Sequence, residues 1–274
     1  MVLMNTMYNR FCSVCNDTGD QPALITGSDD DDRNVISFAT LKTSIEDSAV
    51  VLSRILGVRS GDKVLIAIHG YPIAEIVGCF ACSKLAAVFV PVDMKWKNTG
   101  TRLADISKDC RPVAAVVMSN SDSDDVIKTL ADQCNVHRCL CLQPTGELAL
   151  HVQRTLSTIS ANVPEAAVVA PVSNCFQISS DEIPQEGSDN SLMSKLPAYI
   201  LYTSGSTGVP KGVVCSTTSL FHRLSWQAGC FPWGDSLFHT PVKETPPKVP
   251  CSPKNELVCR RTSLAFVDSM AEIG

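Results

Sequence analysis

Short apolar runs alternate with helical patterns over the first half of the chain. Between residues 41 and 55, apolar side chains recur every three or four positions, which predicts a helix that stops at Gly57. The next run, KVLIAIHG at residues 63–70, is apolar and rich in β-branched residues, as in a strand covered on both faces. The pattern then predicts three helices, near 73–87, 101–108 and 124–133, and three strands, at VFVPVD, PVAAVVMS and HRCLCLQ.

This alternation sets the fold class. Strands that alternate with helices of 10 to 15 residues indicate parallel β-α-β units with right-handed crossovers. The chain is therefore predicted to be an α/β protein with a mostly parallel sheet. Residues 1–274 are interpreted as one incomplete domain.

Three segments interrupt the pattern. Residues 144–195, which include SSDEIPQEGSDNS, are predicted to be a polar surface connection, and residues 229–258 a proline-rich irregular insertion. The acidic run GSDDDD at 27–32 is interpreted as a solvated loop, with a cation site as the alternative. No tandem repeat with a fixed period is found.

Composition and charge narrow the functional classes. The chain has 274 residues, 45% of them hydrophobic, and a formal net charge of -5, so no basic field points to nucleic acid or an anionic membrane. The first twenty residues lack the basic and apolar regions of a signal peptide, and no segment reaches the ~18 to 20 apolar residues of a membrane span. We predict a cytoplasmic protein without a transmembrane segment.

Thirteen cysteines are scattered through apolar segments, which favours reduced and mostly buried thiols. Two Cys-x-x-Cys pairs, Cys12/Cys15 and Cys79/Cys82, could each be half of a zinc site. A second group of metal-ligating residue types comprises Cys134, His137, Cys139 and Cys141. Because Cys79/Cys82 share a helical face and Cys139/Cys141 a strand face, core packing is preferred and no metal site is predicted.

The sequence YILYTSGSTGVPKGVV, residues 199–214, contains the candidate chemistry. Two predicted strands, AYILY and GVVCS, flank a loop rich in serine, threonine and glycine. Glycine permits close backbone approach and positive φ, so successive N–H groups can surround an anion. Hydroxyl donors and the mobile charge of Lys211 suit phosphate oxygens. The predicted phosphate-binding residues are Thr203, Ser204, Gly205, Ser206, Thr207, Gly208 and Lys211.

The loop is not a Walker A motif, because its glycines and lysine are spaced G-x-x-G-x-x-K and no G-K-[ST] follows. YTSGSTGVPKG resembles the signature of the adenylate-forming (AMP-binding) enzymes, which include acyl-CoA synthetases and the adenylation domains of non-ribosomal peptide synthetases. ISFATL at 36–41 and SKLAAVFVPVD at 83–93 resemble two earlier family segments, with Ala86 or Ala87 in place of a glycine. RTSLAFVDS at 261–269 is similar to the segment that opens the acyl pocket, and suggests the β-alanine-activating or aminoadipate-semialdehyde-dehydrogenase-like branch.

The resemblance implies a two-step reaction with ATP and Mg²⁺. A carboxylate attacks the α-phosphate of ATP and releases pyrophosphate, and the acyl-adenylate then passes its acyl group to a thiol, either coenzyme A or a carrier phosphopantetheine. The loop residues would enclose the β- and γ-phosphates, and Lys211 would act as a catalytic residue that supports either the loop or the leaving group. The implied partners are a small carboxylic acid and an acyl carrier domain, so fatty acid metabolism and amino acid activation both fit.

Two departures from the family pattern concern the substrate. Many members have a histidine six residues after the motif lysine, where this chain has Thr217. Amino-acid-activating members often carry an aspartate directly after the phenylalanine of the pocket segment. Here Val267 takes that position and Asp268 follows it. Asp268 is a candidate residue for pairing with the ammonium group of an amino acid substrate. The alternative is that Asp268 caps a helix or is simply exposed.

The family segments that contact adenine and ribose, the hinge and the catalytic lysine of the lid would all follow the pocket segment, and the sequence ends at Gly274. Two hypotheses follow. In the first, the chain is a fragment of an acid–thiol ligase. In the second, it is a non-catalytic nucleotide-binding or protein-interaction remnant of that family.

Overall fold

The computed structural model describes residues 6–26, 34–94, 99–119, 123–148, 196–203 and 209–230. The described residues form eight strands and six α-helices. In chain order they are α1 (Met7–Thr18), β1 (Pro22–Thr26), β2 (Asn34–Ser37), α2 (Phe38–Val50), β3 (Lys63–Ala67), α3 (Pro72–Lys84), β4 (Val88–Pro91), α4 (Thr99–Cys110), β5 (Ala114–Met118), α5 (Ser123–Cys134), β6 (Cys139–Leu142), β7 (Pro197–Thr203), β8 (Lys211–Ser216) and α6 (Thr217–Cys230).

Six of the strands form one sheet in the order β6-β5-β3-β4-β7-β8. Every neighbouring pair is parallel except β7–β8, an antiparallel pair at one edge. β1 and β2 pair with each other in a small separate sheet. The predicted α/β class with a mostly parallel sheet is confirmed. The carboxyl ends of β3, β4 and β7 share one edge of the sheet because these strands are parallel.

Helices cover both faces of the sheet. Alternate residues of β3 point to opposite sides: Val64 and Ile66 join a core with α1, α2 and α3, while Leu65 and Ala67 join a core with α4 and α5. Burial on both faces explains why the central strands are continuous apolar runs rather than alternating ones. The predicted helices and strands of residues 41–143 are all present, with ends that differ by a few residues.

The helix predicted over 41–55 is present, and its last turn changes geometry. α2 continues into a π-helical turn, Val51–Ile55, in which Leu56 N donates to Val51 O at 3.0 Å. Gly57, with φ +69°, then ends the helix in a left-handed conformation. The predicted stop at this glycine is therefore confirmed.

The N-terminal helix α1 was not predicted. It begins after Thr6, whose side chain accepts a hydrogen bond from Asn9 N, and it packs on α2 and α3. Phe11 lies between two rings, 6.0 Å from Phe38 and 5.3 Å from Phe80 by ring centroids. α1 is therefore an integral part of the layer on this face.

The predicted core packing of the cysteines agrees with the structure where residues are described. Cys79 and Cys82 are fully buried in α3, and Cys139 and Cys141 are buried in β6. Within the described part of the chain, no group of three or more His, Cys, Asp or Glu side chains is placed to hold a metal ion. None of the described helices is long and apolar enough to cross a bilayer. The acidic run 27–32, most of the polar connection 144–195 and nearly all of the proline-rich segment lie outside the described residues.

Candidate functional site

The predicted strands on either side of the candidate loop form a hairpin, as the sequence indicated. Tyr199, Leu201 and Thr203 of β7 pair with Cys215, Val213 and Lys211 of β8. β7 is buried through its centre because it lies between β4 and β8, whereas β8 is an exposed edge strand. The candidate loop therefore begins at the carboxyl end of β7 and ends at the start of β8.

Thr203 and Lys211 form the last pair of the hairpin before the loop. They are register partners, and Thr203 Oγ1 donates to Lys211 O at 3.5 Å. Both residues are exposed, so the ammonium group of Lys211 can reach a ligand at this end of the hairpin, whereas the Thr203 hydroxyl would have to give up its long bond to Lys211 O to donate to one. The predicted residues Ser204, Gly205, Ser206, Thr207 and Gly208 lie outside the described part, as does Asp268.

Tyr202 fixes the hairpin to the helix layer beneath it. Its hydroxyl donates to Asp109 Oδ2, on the last turn of α4, at 2.5 Å. Burial is the main cause that raises the pKa of Tyr202 far above its usual range, and the hydrogen bond to Asp109 adds to it. The phenol therefore stays a neutral donor, and the strand that leads into the loop is held in position one residue before Thr203.

Gly212 has a packing role that the sequence did not reveal. A Cβ placed on Gly212 would lie 3.0 Å from Cζ of the Tyr202 ring and 3.1 Å from its hydroxyl oxygen. The φ angle of Gly212 is not in the left-handed region. The Tyr202 ring that covers Gly212 therefore explains why a glycine stands at this position.

A second aromatic contact connects β7 to β4. Phe89 and Tyr199 are register partners, and their rings stack at 5.4 Å with an interplanar angle of 23°. Together with the Tyr202–Asp109 hydrogen bond, this contact ties the hairpin to the sheet and to α4. The hairpin that bears the candidate loop is thus held to two of its neighbours in the structure, β4 and α4.

The chain turns directly from β8 into α6. Ser216 is the cap of this helix, and its Oγ accepts a hydrogen bond from Ser219 N at 3.1 Å. Thr217, which occupies the position of the family's histidine, donates from its backbone N to Leu196 O at 3.0 Å. Thr217 is therefore engaged with the start of β7, at the opposite end of the hairpin from Thr203.

Sequence reasoning missed two polar contacts near the sheet. One is the Tyr202–Asp109 hydrogen bond, which joins residues 93 positions apart and left no local signal. The other is His69 Nδ1, which lies 3.4 Å from Asp93 Oδ1. His69 follows β3 and Asp93 follows β4, so the rule that parallel sheets present ligand-binding residues after their strands could have found this pair.

The donor set around the hairpin suits a polyphosphate. Residues 199–216 contain serine and threonine hydroxyls, glycine amides and Lys211, but no aspartate or glutamate. Such a set attracts phosphate oxygens and does not repel them. The hairpin itself supplies no carboxylate ligand for a divalent cation.

Curated relatives match most of this chain. An acetyl-coenzyme A synthetase from Halorhodospira halophila is 30% identical over 239 residues, which cover 84% of this chain and 35% of the relative. The acetyl-coenzyme A synthetase of Magnetococcus marinus is 29% identical over 222 residues, which cover 78% of this chain and 31% of the relative. The chain spans about a third of the length of these relatives.

Solved structures share the fold. ATP-bound MatB from Rhodopseudomonas palustris superposes with a TM-score of 0.52 at 21% identity, covering 82% of this chain and 37% of that one. Acetoacetyl-CoA synthetase from Streptomyces lividans gives a TM-score of 0.57 at 18% identity, with coverages of 82% and 32%. The described sheet and helices thus match the N-terminal part of adenylate-forming enzymes. A family model described as AMP-binding enzyme matches residues 11–241, and the chain belongs to this family.

Proposed function

We propose that the protein takes part in ATP-dependent activation of a carboxylic acid, in which an acyl-adenylate forms first and a thioester second. The observation that carries this proposal is the position of Thr203 and Lys211, near the two ends of the TSGSTG–PKG motif. Thr203 and Lys211 pair at the base of the loop, at the carboxyl edge of a parallel sheet, on a hairpin held by Tyr202. Ligands of α/β sheets bind at this edge.

In this proposal the loop binds the β- and γ-phosphates of ATP. Thr203 to Gly208 donate hydrogen bonds to phosphate oxygens, and Lys211 offsets the charge that develops on the departing pyrophosphate. When bound with ATP, Mg²⁺ would add to the positive charge that Lys211 supplies. Adenylate formation needs alignment and charge neutralisation rather than a covalent protein intermediate, so a rigid hairpin is a suitable support.

The acyl acceptor is a thiol, from coenzyme A or a carrier phosphopantetheine. The relatives reported above are acetyl-coenzyme A synthetases, which favours a small acyl group and coenzyme A. An amino acid substrate bound through Asp268, the β-alanine-activating branch and fatty acid metabolism remain predictions. Action in the cytoplasm is part of the proposal.

The test is carboxylate-dependent exchange of pyrophosphate into ATP by the purified 274-residue chain, over acetate, longer fatty acids, aromatic acids and amino acids. We expect exchange with at least one acid and a loss of 10²-fold or more in Lys211→Ala, because one charge contact to the leaving group is removed. Lys128→Ala is the matched control, since Lys128 is an exposed lysine of α5 on a different element.

The outcomes separate the two hypotheses. Exchange that is lost in Lys211→Ala and kept in Lys128→Ala supports adenylate formation by this chain. Binding of ATP without exchange, by a chain whose circular dichroism shows that it is folded, would support the non-catalytic nucleotide-binding alternative. Equal exchange rates in Lys211→Ala and Lys128→Ala would show that Lys211 has no role in adenylate formation.

A further inference from the structure

His69 and Asp93 form a polar pair at the edge of the sheet that carries the candidate loop. β3 and β4 are parallel, and their last paired residues are Ile66 and Pro91. One residue further on, Val92 N donates a hydrogen bond to Ile66 O at 3.1 Å. This extra hydrogen bond keeps the two chains adjacent after the strands end. It places His69 Nδ1 3.4 Å from Asp93 Oδ1.

The pair is partly accessible, and a turn and a helix start follow His69 directly. The His69 side chain is 25% exposed and that of Asp93 is 12% exposed. Gly70, with φ +78°, turns the chain sharply after His69, and α3 begins two residues later with Pro72 at its first position. His69 is therefore held on a short strand-to-helix connection, with part of its ring open to solvent.

The sheet topology places His69 where open α/β sheets commonly bind ligands. β3 and β5 are neighbours, and the chain leaves them in opposite directions, towards β4 and towards β6. In open α/β sheets, such a switch point opens a crevice outside the carboxyl ends of the strands. His69 is at this switch point, and Asp93 lies on the side nearer to β7.

The end of β7, where the candidate phosphate loop begins, is close to the end of β3 by the geometry of the sheet. The order β3-β4-β7 puts one strand between β3 and β7. Strands are about 4.8 Å apart, so the carboxyl ends of β3 and β7 are separated by about 10 Å.

The chemistry of the pair is that of an oriented base. A carboxylate beside Nδ1 favours the tautomer that carries its proton on this nitrogen. Nε2 then has a lone pair and can accept a proton from a bound group. An Asp-oriented imidazole is a common general base, and proton transfer of this kind contributes typically about 10² to 10⁴ in rate.

We propose that His69, oriented by Asp93, is the group that accepts the thiol proton in the thioester-forming step. The inference rests on the proposed function. The S–H bond breaks as its proton moves to His69 Nε2, and the sulfur attacks the carbonyl carbon of the acyl-adenylate. A C–S bond forms, the bond between the carbonyl carbon and the phosphate oxygen breaks, and AMP leaves as the anion.

The experiment supplies synthetic acetyl-adenylate and coenzyme A to the full chain and measures acetyl-coenzyme A. Supplying the adenylate bypasses the step assigned to Lys211. We expect His69→Ala to lower the rate by 10²-fold or more, and added imidazole to restore part of it. Asp93→Asn should lower the rate less than His69→Ala does, and Asp93→Glu should keep more of the wild-type rate than Asp93→Asn. His137→Ala is the control, since His137 is an exposed histidine that follows α5.

A rate in His69→Ala equal to that of the wild type would overturn the inference, and so would a wild-type rate no higher than the reaction without protein. A loss that imidazole does not restore would also contradict it, because a structural defect is not repaired by a small base. The pyrophosphate exchange assay contains no thiol, so failure of the adenylation proposal appears there and failure of this one does not.

Discussion

Ala86 stands where the family segment has glycine, and its backbone shows why glycine is suitable there. It follows α3 with φ +50°, in the left-handed region, and Ala87 N donates back to Cys82 O at 2.9 Å. This is the hydrogen bond of a glycine-type helix end. An L-residue with a Cβ is strained in this conformation, by about 1–2 kcal/mol. From the sequence alone, either Ala86 or Ala87 could stand at the glycine position of the family segment. The positive φ of Ala86 favours Ala86.

We therefore expect Ala86→Gly to stabilise the chain. Relief of the left-handed strain exceeds the extra entropy that glycine gives the unfolded chain, so the net gain should be about 0.5–1 kcal/mol. Urea denaturation followed by circular dichroism measures it. Ala87→Gly is the control and should destabilise, because Ala87 is buried and does not have positive φ. Lower stability in Ala86→Gly would show that the left-handed conformation is not strained.

Individual contacts also show which features the sequence could not predict. The loop residues, Lys211 and the hairpin around them were recognisable because they are contiguous in the sequence. The Tyr202–Asp109 and His69–Asp93 contacts join residues 93 and 24 positions apart, so only the packing of the sheet brings them together. The packing role of Gly212 depends on a ring from the opposite strand and has no local signature either.

At the scale of elements, the strands and helices of residues 41–143 were predictable because burial on two faces leaves apolar runs and helical spacing in the sequence. α1 was missed although its buried residues Met7, Tyr8 and Cys15 lie on one helical face. The pairing of β1 with β2 depends on tertiary contacts, since the segment between them gives no tight turn signal.

α1 is held by aromatic packing, so loss of Phe11 should loosen it. We expect Phe11→Ala to lower the free energy of unfolding by about 2–4 kcal/mol, because Phe11 contacts the rings of Phe38 and Phe80. Amide hydrogen exchange in α1 should accelerate more than exchange in α5. Val14→Ala is the control, since Val14 is on the same helix and is 45% exposed. Equal effects of the two substitutions would show that Phe11 does not anchor α1.

At the scale of the whole molecule, the buried thiols make stability depend on alkaline pH. Burial raises the pKa of Cys139 to about 12 and that of Cys82 to about 12. An unfolded cysteine has a pKa of about 8.5, so the folded chain retains protons that the unfolded chain loses. The stabilisation from these thiols is complete below pH ~8.5 and decreases as the pH rises towards ~12.

We expect the free energy of unfolding to fall between pH 8 and pH 11, and to fall less steeply in Cys139→Val. Each thiol contributes at most one proton to the slope, or about 1.4 kcal/mol per pH unit. Valine removes the titrating group and suits a buried strand. Urea denaturation at a series of pH values, with reductant present, provides the measurement. The same slope in both proteins would contradict the assignment of Cys139 to a buried, protonated state.

The central claim for the whole molecule is that the hairpin end formed by Thr203 and Lys211 binds the phosphates of ATP. Isothermal titration of Mg-ATP into the folded chain tests it most directly. We expect binding that weakens by about 10- to 100-fold in Lys211→Ala, the effect of one lost charge-assisted contact, and is unchanged in Lys128→Ala. Absence of binding by the folded chain, or equal affinity in the Lys211 and Lys128 variants, would contradict the claim.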